Sequence, residues 1–338
     1  MRQRRRTLVP LLLLPPLLLT GAPSALAYDD RDGHSDRGQE LPATYRLEGD
    51  VGGSQFEGID VTWDGTFYVT EVTGGEIHRG EVDEEGTEIW QDADDALADG
   101  RTAAVGIATD RRGRVYVAGG ANRTDKPADA PDFWVYDDDG ELLASLRMPV
   151  GGPLFLNDVV VGPDGAAYVT DSTTPRIFRI DREDGEWTAT LWAAADAEGA
   201  PVQGTGFGLN GIEVAPDGES LVVVKTNTGE LWRYDLATAE PTRIDIGGAD
   251  VTFGDGLVVK GRTLVVVRNM AHRLSYLRLD RHATRAEFVT EVETDPARLL
   301  TTADVFDGHL LLVDSQFDEP PATQETPDSE VVVLPFRP

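Results

Sequence analysis

The sequence predicts an all-β protein, a six-bladed β-propeller of four-stranded blades, and three observations carry that prediction. A hairpin motif recurs six times in one shared phase, reading EGIDVTWDGTFYV from Glu57, VGIATDRRGRVYV from Val105, NDVVVGPDGAAYV from Asn157, NGIEVAPDGESLV from Asn210, DGLVVKGRTLVVV from Asp255 and TADVFDGHLLLV from Thr302. The starting points lie 48, 52, 53, 45 and 47 residues apart, a period that belongs to propellers, solenoids and arrays. No long amphipathic helical pattern separates the units, which argues against a parallel α/β sheet.

Each unit alternates apolar and polar residues, turns at Asp-Gly or a relative such as Arg112-Gly113 or Lys260-Gly261, and continues into a Val-rich strand such as Phe67-Tyr68-Val69. That is the grammar of a β-hairpin. Two further strands usually follow, as at Arg176 to Ile180 and its partner near Trp187 to Trp192, so one unit holds about four strands, as a blade does. Radial repetition leaves only short, protected edges. The last unit offers strands near Val305, near Leu311 and at Val331 to Phe336, one short of a blade. Ala43 to Leu47, ahead of the first unit, is expected to supply the missing outer strand and close the ring, giving a propeller over residues 41–338. The six tryptophans are expected to pack between blades.

Residues 1–27 combine Arg2, Arg4, Arg5 and Arg6, a Leu-rich stretch broken by Pro10, Pro15 and Pro16, and a final Ala25-Leu26-Ala27. This is the pattern of a secretory signal peptide with an A-x-A cleavage site. The apolar run is too short and proline-broken to span a membrane, so a secreted, extracellular protein is expected, with no membrane insertion after cleavage. Residues 28–40 are polar and aperiodic, as a flexible linker is. Losing residues 1–27 removes four arginines and no acid, moving the formal charge from −30 to −34. Nucleic acid is thereby excluded as a partner, since its backbone demands clustered Lys and Arg. The absence of cysteine excludes disulfides, thiolate chemistry and Cys-ligated zinc. Gln316 to Ser329 is a Pro- and acid-rich insertion too long for a hairpin turn, expected to be a mobile loop or lid.

In a blade the first strand lies innermost, so one phase near its start becomes a ring at one mouth of the central channel. That phase holds Glu57, Val105, Asn157, Asn210, Asp255 and Thr302. Two carboxylates and two amide oxygens suit one divalent cation with hard oxygen ligands. Calcium, with six to eight oxygens in flexible geometry, fits better than zinc, which prefers His or Cys. Turn chemistry accounts for one Asn at a strand start; four oxygen residues at one phase across long stretches of sequence ask for more.

Phe56-Glu57-Gly58, Leu156 to Gly165 (LNDVVVGPDG), Leu209 to Gly218 (LNGIEVAPDG) and Gly254-Asp255-Gly256-Leu257 together resemble the calcium-dependent propellers of the regucalcin, gluconolactonase and luciferin-regenerating-enzyme family, to which diisopropyl fluorophosphatase is related. The resemblance runs over about residues 40–338. It implies Glu57, Asn157, Asn210 and Asp255 as calcium ligands, with Asp255 also acting chemically. Sugar-lactone members are similar to one another in an Arg two residues before the third-blade Asn; here that residue is Phe155, which favours a more apolar lactone or ester over a polyhydroxylated one.

About fourteen residues after each ring position the chain returns to the same mouth, at Glu71, Asp171, Lys225, Arg268 and Asp314, with His272 shortly beyond. Asp171, Lys225, Arg268 and His272 join Phe155 as substrate-binding candidates, since a Lys or Arg can hold an anionic group or a developing oxyanion. Other motifs carry less. Gly206 to Gly211 matches G-x-G-x-x-G but leads into a strand, not a helix. Asp137 to Gly140 lacks the closing acid and flanking helices of an EF-hand and is expected to be a turn. Asn122-Arg123-Thr124 is a formal glycosylation sequon, the five histidines have no metal spacing, and there is no G-x-S-x-G elbow. The expectation is therefore a monomeric, exported, calcium-dependent hydrolase of a small-molecule lactone, ester or related electrophile. A non-catalytic extracellular binding or scaffold propeller with structural calcium is the alternative, because this fold hosts both.

Overall fold

The computed structural model describes residues 41–49, 53–119, 129–319 and 328–337; the expected signal peptide (1–27), the linker (28–40), the sequon and most of the acidic insertion lie outside them. Among the described residues there are six four-stranded antiparallel sheets. The innermost strands are Phe56–Val61, Ala104–Thr109, Leu156–Val161, Leu209–Val214, Gly254–Lys260 and Leu300–Phe306. Each touches the innermost strand of the next blade, and the sixth touches the first, so the six sheets form a closed ring. The hairpins turn where the Asp-Gly and related pairs predict: Gly65 and Gly165 take φ of +100° and +82°, backbone that favours glycine.

Closure follows the expected route. Thr44–Glu48 pairs antiparallel with Asp328–Pro335, from Thr44 opposite Val332 to Glu48 opposite Asp328, and completes the sixth sheet. Tyr45 pins this strand: it is fully buried, its ring centroid lies 4.8 Å from that of Phe67 in the first blade, and its hydroxyl donates to Val82 O at 2.7 Å. A sheet built from strands at both ends of the chain ties the two ends of the ring together, with only short blade edges left.

The hydrophobic core is divided among the six seams between blades. Phe133, Tyr116 and Phe178 pack at the second seam, Trp232, Tyr168 and Leu221 at the third, and Phe67, Leu311 and Val331 where the last blade meets the first. Aromatic pairs cross these seams, among them Trp90 with Tyr136, Trp187 with Tyr116 and Trp192 with Tyr234. Trp63 departs from the expectation for tryptophan, since it lies on a hairpin turn, outside the seams, and is 73% exposed. Among the described residues, helix is confined to one short α-helix, Ala93–Ala98, capped by the Asp92 carboxylate, and a 3-10 turn at Asn269–Ala271. Asp137 to Gly140 is a turn between the outer strands Phe133–Tyr136 and Leu142–Leu146, as expected.

Candidate metal centre

The same irregularity interrupts all six innermost strands. Leu156 lies opposite Asp171, yet the ladder resumes with Val159 opposite Val169, so two residues on one strand, Asn157 and Asp158, oppose one, Thr170, on its partner. Equivalent bulges separate Phe56 from Ile59, Ala104 from Ile107, Leu209 from Ile212, Gly254 from Leu257 and Leu300 from Ala303. A bulge frees one residue from the ladder and re-aims its side chain. The first residue of each bulge is Glu57, Val105, Asn157, Asn210, Asp255 and Thr301 in turn. The sixth place is a correction: Thr301, not Thr302, holds it, because Leu300 faces Asp314 as Leu156 faces Asp171. The shorter hairpin of the last unit hides this one-residue slip from a turn-based alignment. The next position is Gly58, Gly106, Gly211 or Gly256 in four blades, since the next blade's strand passes hard against it; a Cβ on Gly211 would overlap Asp255 O.

Glu57, Asn157, Asn210 and Asp255 are all buried, at 6%, 4%, 4% and 4% exposure. They converge. Asn210 Nδ2 donates to Asp255 Oδ1 at 2.6 Å, and Glu57, two blades round from Asp255, feels the charges of both Asp255 and Asp158. Burial, reinforced by those two neighbours, pushes the Glu57 carboxyl well above its ordinary range. Burial likewise pushes Asp255 up to about 7, against the amide hydrogen bonds from Asn210 and Asn269 that favour its charged form. Asp158, one residue past Asn157, is pushed up to about 7 by burial, although the N–H groups of Ile212 and Val159 oppose the shift. Its Oδ2 accepts from Ile212 N at 2.9 Å, and Asp304 Oδ2 likewise accepts from Val61 N at 2.8 Å. These deeper carboxylates clasp neighbouring innermost strands together.

Two negative groups held out of water without a cation are costly, and a divalent ion removes the cost. The donor set has that shape. Asn157 donates Nδ2 to Ser172 Oγ at 3.0 Å, while its Oδ1 is buried with no hydrogen-bond partner. Asn210 uses both amide protons, on Thr226 Oγ1 at 3.0 Å and on Asp255 Oδ1, which leaves its Oδ1 as acceptor. Each Asp255 oxygen accepts one amide proton and keeps a further lone pair. Among the described residues no three His, Cys, Asp or Glu side chains group as a metal site. The set is two carboxylates plus amide oxygens, which fits a hard cation such as calcium.

The other expected site residues lie near this mouth but are engaged with the protein. Asp171 is fully buried; its Oδ2 pairs with Arg176 at 2.7 Å and its Oδ1 accepts from Phe155 N and from Thr173. Lys225 is buried and reaches Glu230 at 3.6 Å and Thr228. Arg268 bonds Thr252 O, Asp250 and Glu291. His272 is in the left-handed region, its Nδ1 3.1 Å from Arg298 O. Phe155 is half-buried, and its ring meets Phe207 edge-on at 5.4 Å; Phe207 is 53% exposed.

The polar groups that touch the ring residues are instead the next residues along: Ser172, Thr226 and Asn269. Nothing in the periodicity marks them. They follow Asp171, Lys225 and Arg268, the ladder partners of Leu156, Leu209 and Gly254, so the ladder register is the signal that finds them.

The model of a family described as SMP-30/Gluconolactonase/LRE-like region matches residues 57–260, a stretch that includes the four carboxylate and amide residues of the ring. No curated protein matches the chain. Among solved structures, the Malassezia sympodialis allergen Mala s 1 is similar at 17% identity and a TM-score of 0.65, over 87% of this chain and 96% of the allergen. A gluconolactonase from Xanthomonas campestris is similar at 17% identity and a TM-score of 0.56, over 87% and 90%. Regucalcin from Agrobacterium tumefaciens, a calcium-binding protein, is similar at 16% identity and a TM-score of 0.56, over 88% and 96%. At these identities the structural likeness shows a shared propeller fold. With six blades closed in one ring and the family model matching more than half its length, the chain belongs to the SMP-30/gluconolactonase/LRE-like family.

Proposed function

We propose that the chain is an exported, calcium-dependent hydrolase of a lactone, ester or related electrophile, with the cation, calcium before magnesium, held by Glu57, Asn157, Asn210 and Asp255. The observation that carries the reading is the buried, unpartnered Asn157 Oδ1 in a ring that also holds two buried carboxyls. Membership of the SMP-30/gluconolactonase/LRE-like family supports lactonase-like chemistry. A bound cation supplies polarisation of the substrate's carbonyl or phosphoryl oxygen. Asp255, placed by Asn210 and Asn269, takes the proton of an attacking water or attacks as nucleophile. Phe155 and Phe207 offer an apolar surface two and three residues before ring residues Asn157 and Asn210, where an apolar part of the substrate rests.

A panel of aliphatic lactones, aryl esters and aldonolactones, assayed with calcium and with chelator, tests this. Turnover is expected with calcium only, and faster for apolar members than for aldonolactones. A calcium-loaded protein that hydrolyses none of them moves the binding-protein reading ahead. Export rests on the basic leader, the broken Leu-rich stretch and Ala25-Leu26-Ala27. The secreted protein is expected to start at or near Tyr28 by intact mass; a mass retaining residues 1–27 contradicts it.

A further inference from the structure

We infer that Ser172 and Thr226 are positioning residues that fix which end of the Asn157 and Asn210 amides faces the channel, and so set the affinity of the ring for a divalent cation. The inference rests on the cation site proposed above.

A carboxylate presents oxygen whichever way it is turned. An amide does not: flipped by 180° it presents N–H groups, which repel a cation. At the two amide positions of the ring, and in the same place of the ladder, there is a hydroxyl. Ser172 Oγ donates its one proton to Leu209 O at 2.6 Å, so towards Asn157 it can only accept, and it takes Nδ2–H at 3.0 Å. Thr226 Oγ1 donates to Gly254 O at 2.7 Å and accepts from Asn210 Nδ2 at 3.0 Å. Flipping either amide sets oxygen against an oxygen that has no proton to offer, or strips a buried carbonyl of its donor. Both Oδ1 atoms are therefore held on the side away from the hydroxyls.

The same ladder place varies round the rest of the ring: beside Thr301 it is Ser315, whose hydroxyl donates to Leu299 O of its own strand pair and to no ring residue's amide. Glu57, which has no amide to orient, has Val72 at the corresponding position. Asp255 has Asn269, whose own amide is fixed because its Oδ1 accepts from Met270 N at 2.6 Å while Nδ2 donates to Asp255 Oδ2. Leu209 and Gly254, the acceptors of the two hydroxyl protons, lie on the innermost strand of the following blade. The aim of each amide oxygen is thus tied to a seam between blades.

The experiment compares the parent with Thr226→Val, which keeps shape and loses the hydroxyl, Thr226→Ser, which keeps it, and Ser172→Ala. Calcium affinity is read by titration calorimetry, and melting temperature is read in chelator. Thr226→Val and Ser172→Ala are each expected to weaken calcium binding by about ten-fold or more, as loss of an outer-shell partner does. Thr226→Ser is expected to bind as the parent does. A merely structural role lowers the melting temperature in chelator and leaves the affinity alone. If the parent binds calcium and neither hydroxyl deletion moves its affinity, the inference falls and the site stands. If the parent binds no calcium, both fall. Should Thr226→Val not fold, Ser172→Ala decides by the same measure.

Discussion

Glu57→Gln is expected to weaken calcium binding by roughly 100-fold, about 2.8 kcal/mol at about 1.4 kcal/mol per decade. Gln is nearly isosteric, so the packing of a side chain that is 6% exposed is kept and the loss is electrostatic. One of two negative groups in the ring disappears, and attraction to a divalent ion near a protein surface is worth several kcal/mol per charge. In chelator the sign reverses. The buried Glu57 carboxyl is already disfavoured in its charged form by burial and by Asp255 and Asp158, so a neutral side chain there costs nothing and relieves repulsion. The variant is expected to melt no lower than the parent without calcium and markedly lower with it. Calorimetry that finds unchanged affinity removes Glu57 from the site; a lower melting temperature in chelator indicates that Gln disturbs packing instead.

The second large effect is on turnover. Asp255→Asn, assayed at saturating calcium on the substrates the parent hydrolyses, is expected to lower kcat by about 1,000-fold, within the usual range for loss of a general base. Saturation matters, because Asp255 serves the ring twice. Its two oxygens accept from Asn210 and Asn269, and an amide offers one oxygen for those two donors, so calcium affinity falls as well. Full turnover in a calcium-saturated Asp255→Asn protein refutes a chemical role for this residue while leaving it a ligand. Loss of turnover with calcium still bound separates catalysis from calcium that only ties blades together.

Much of this was legible in the sequence because a propeller writes its geometry as a period. The hairpin phase located Glu57, Asn157, Asn210 and Asp255, and the structure places all four on bulged innermost strands with their side chains buried at one mouth. The missing strand of the last blade was legible for the same reason, and Thr44–Glu48 fills it. The slip at Thr301 was not legible, since a bulge adds a residue without changing the apolar pattern on either side. Nor was the fate of Asp171, Lys225 and Arg268. Their charge suggested reach into the channel, but each is buried and satisfied by Arg176, Glu230, or Asp250 with Glu291.

By itself the sequence determined the all-β ring, its closure and the residue types offered at the mouth, because alternation, turn glycines and period are local properties repeated six times. Tertiary structure alone decided which atoms of those residues face the channel. That choice depends on single protons, such as those of Ser172 and Thr226, given to carbonyls on the next blade. Leu209 and Gly254 stand 37 and 28 residues away from these hydroxyls in the chain. A hydrogen bond between side chain and backbone across a seam leaves no trace in composition or periodicity; it exists only once the blades have packed.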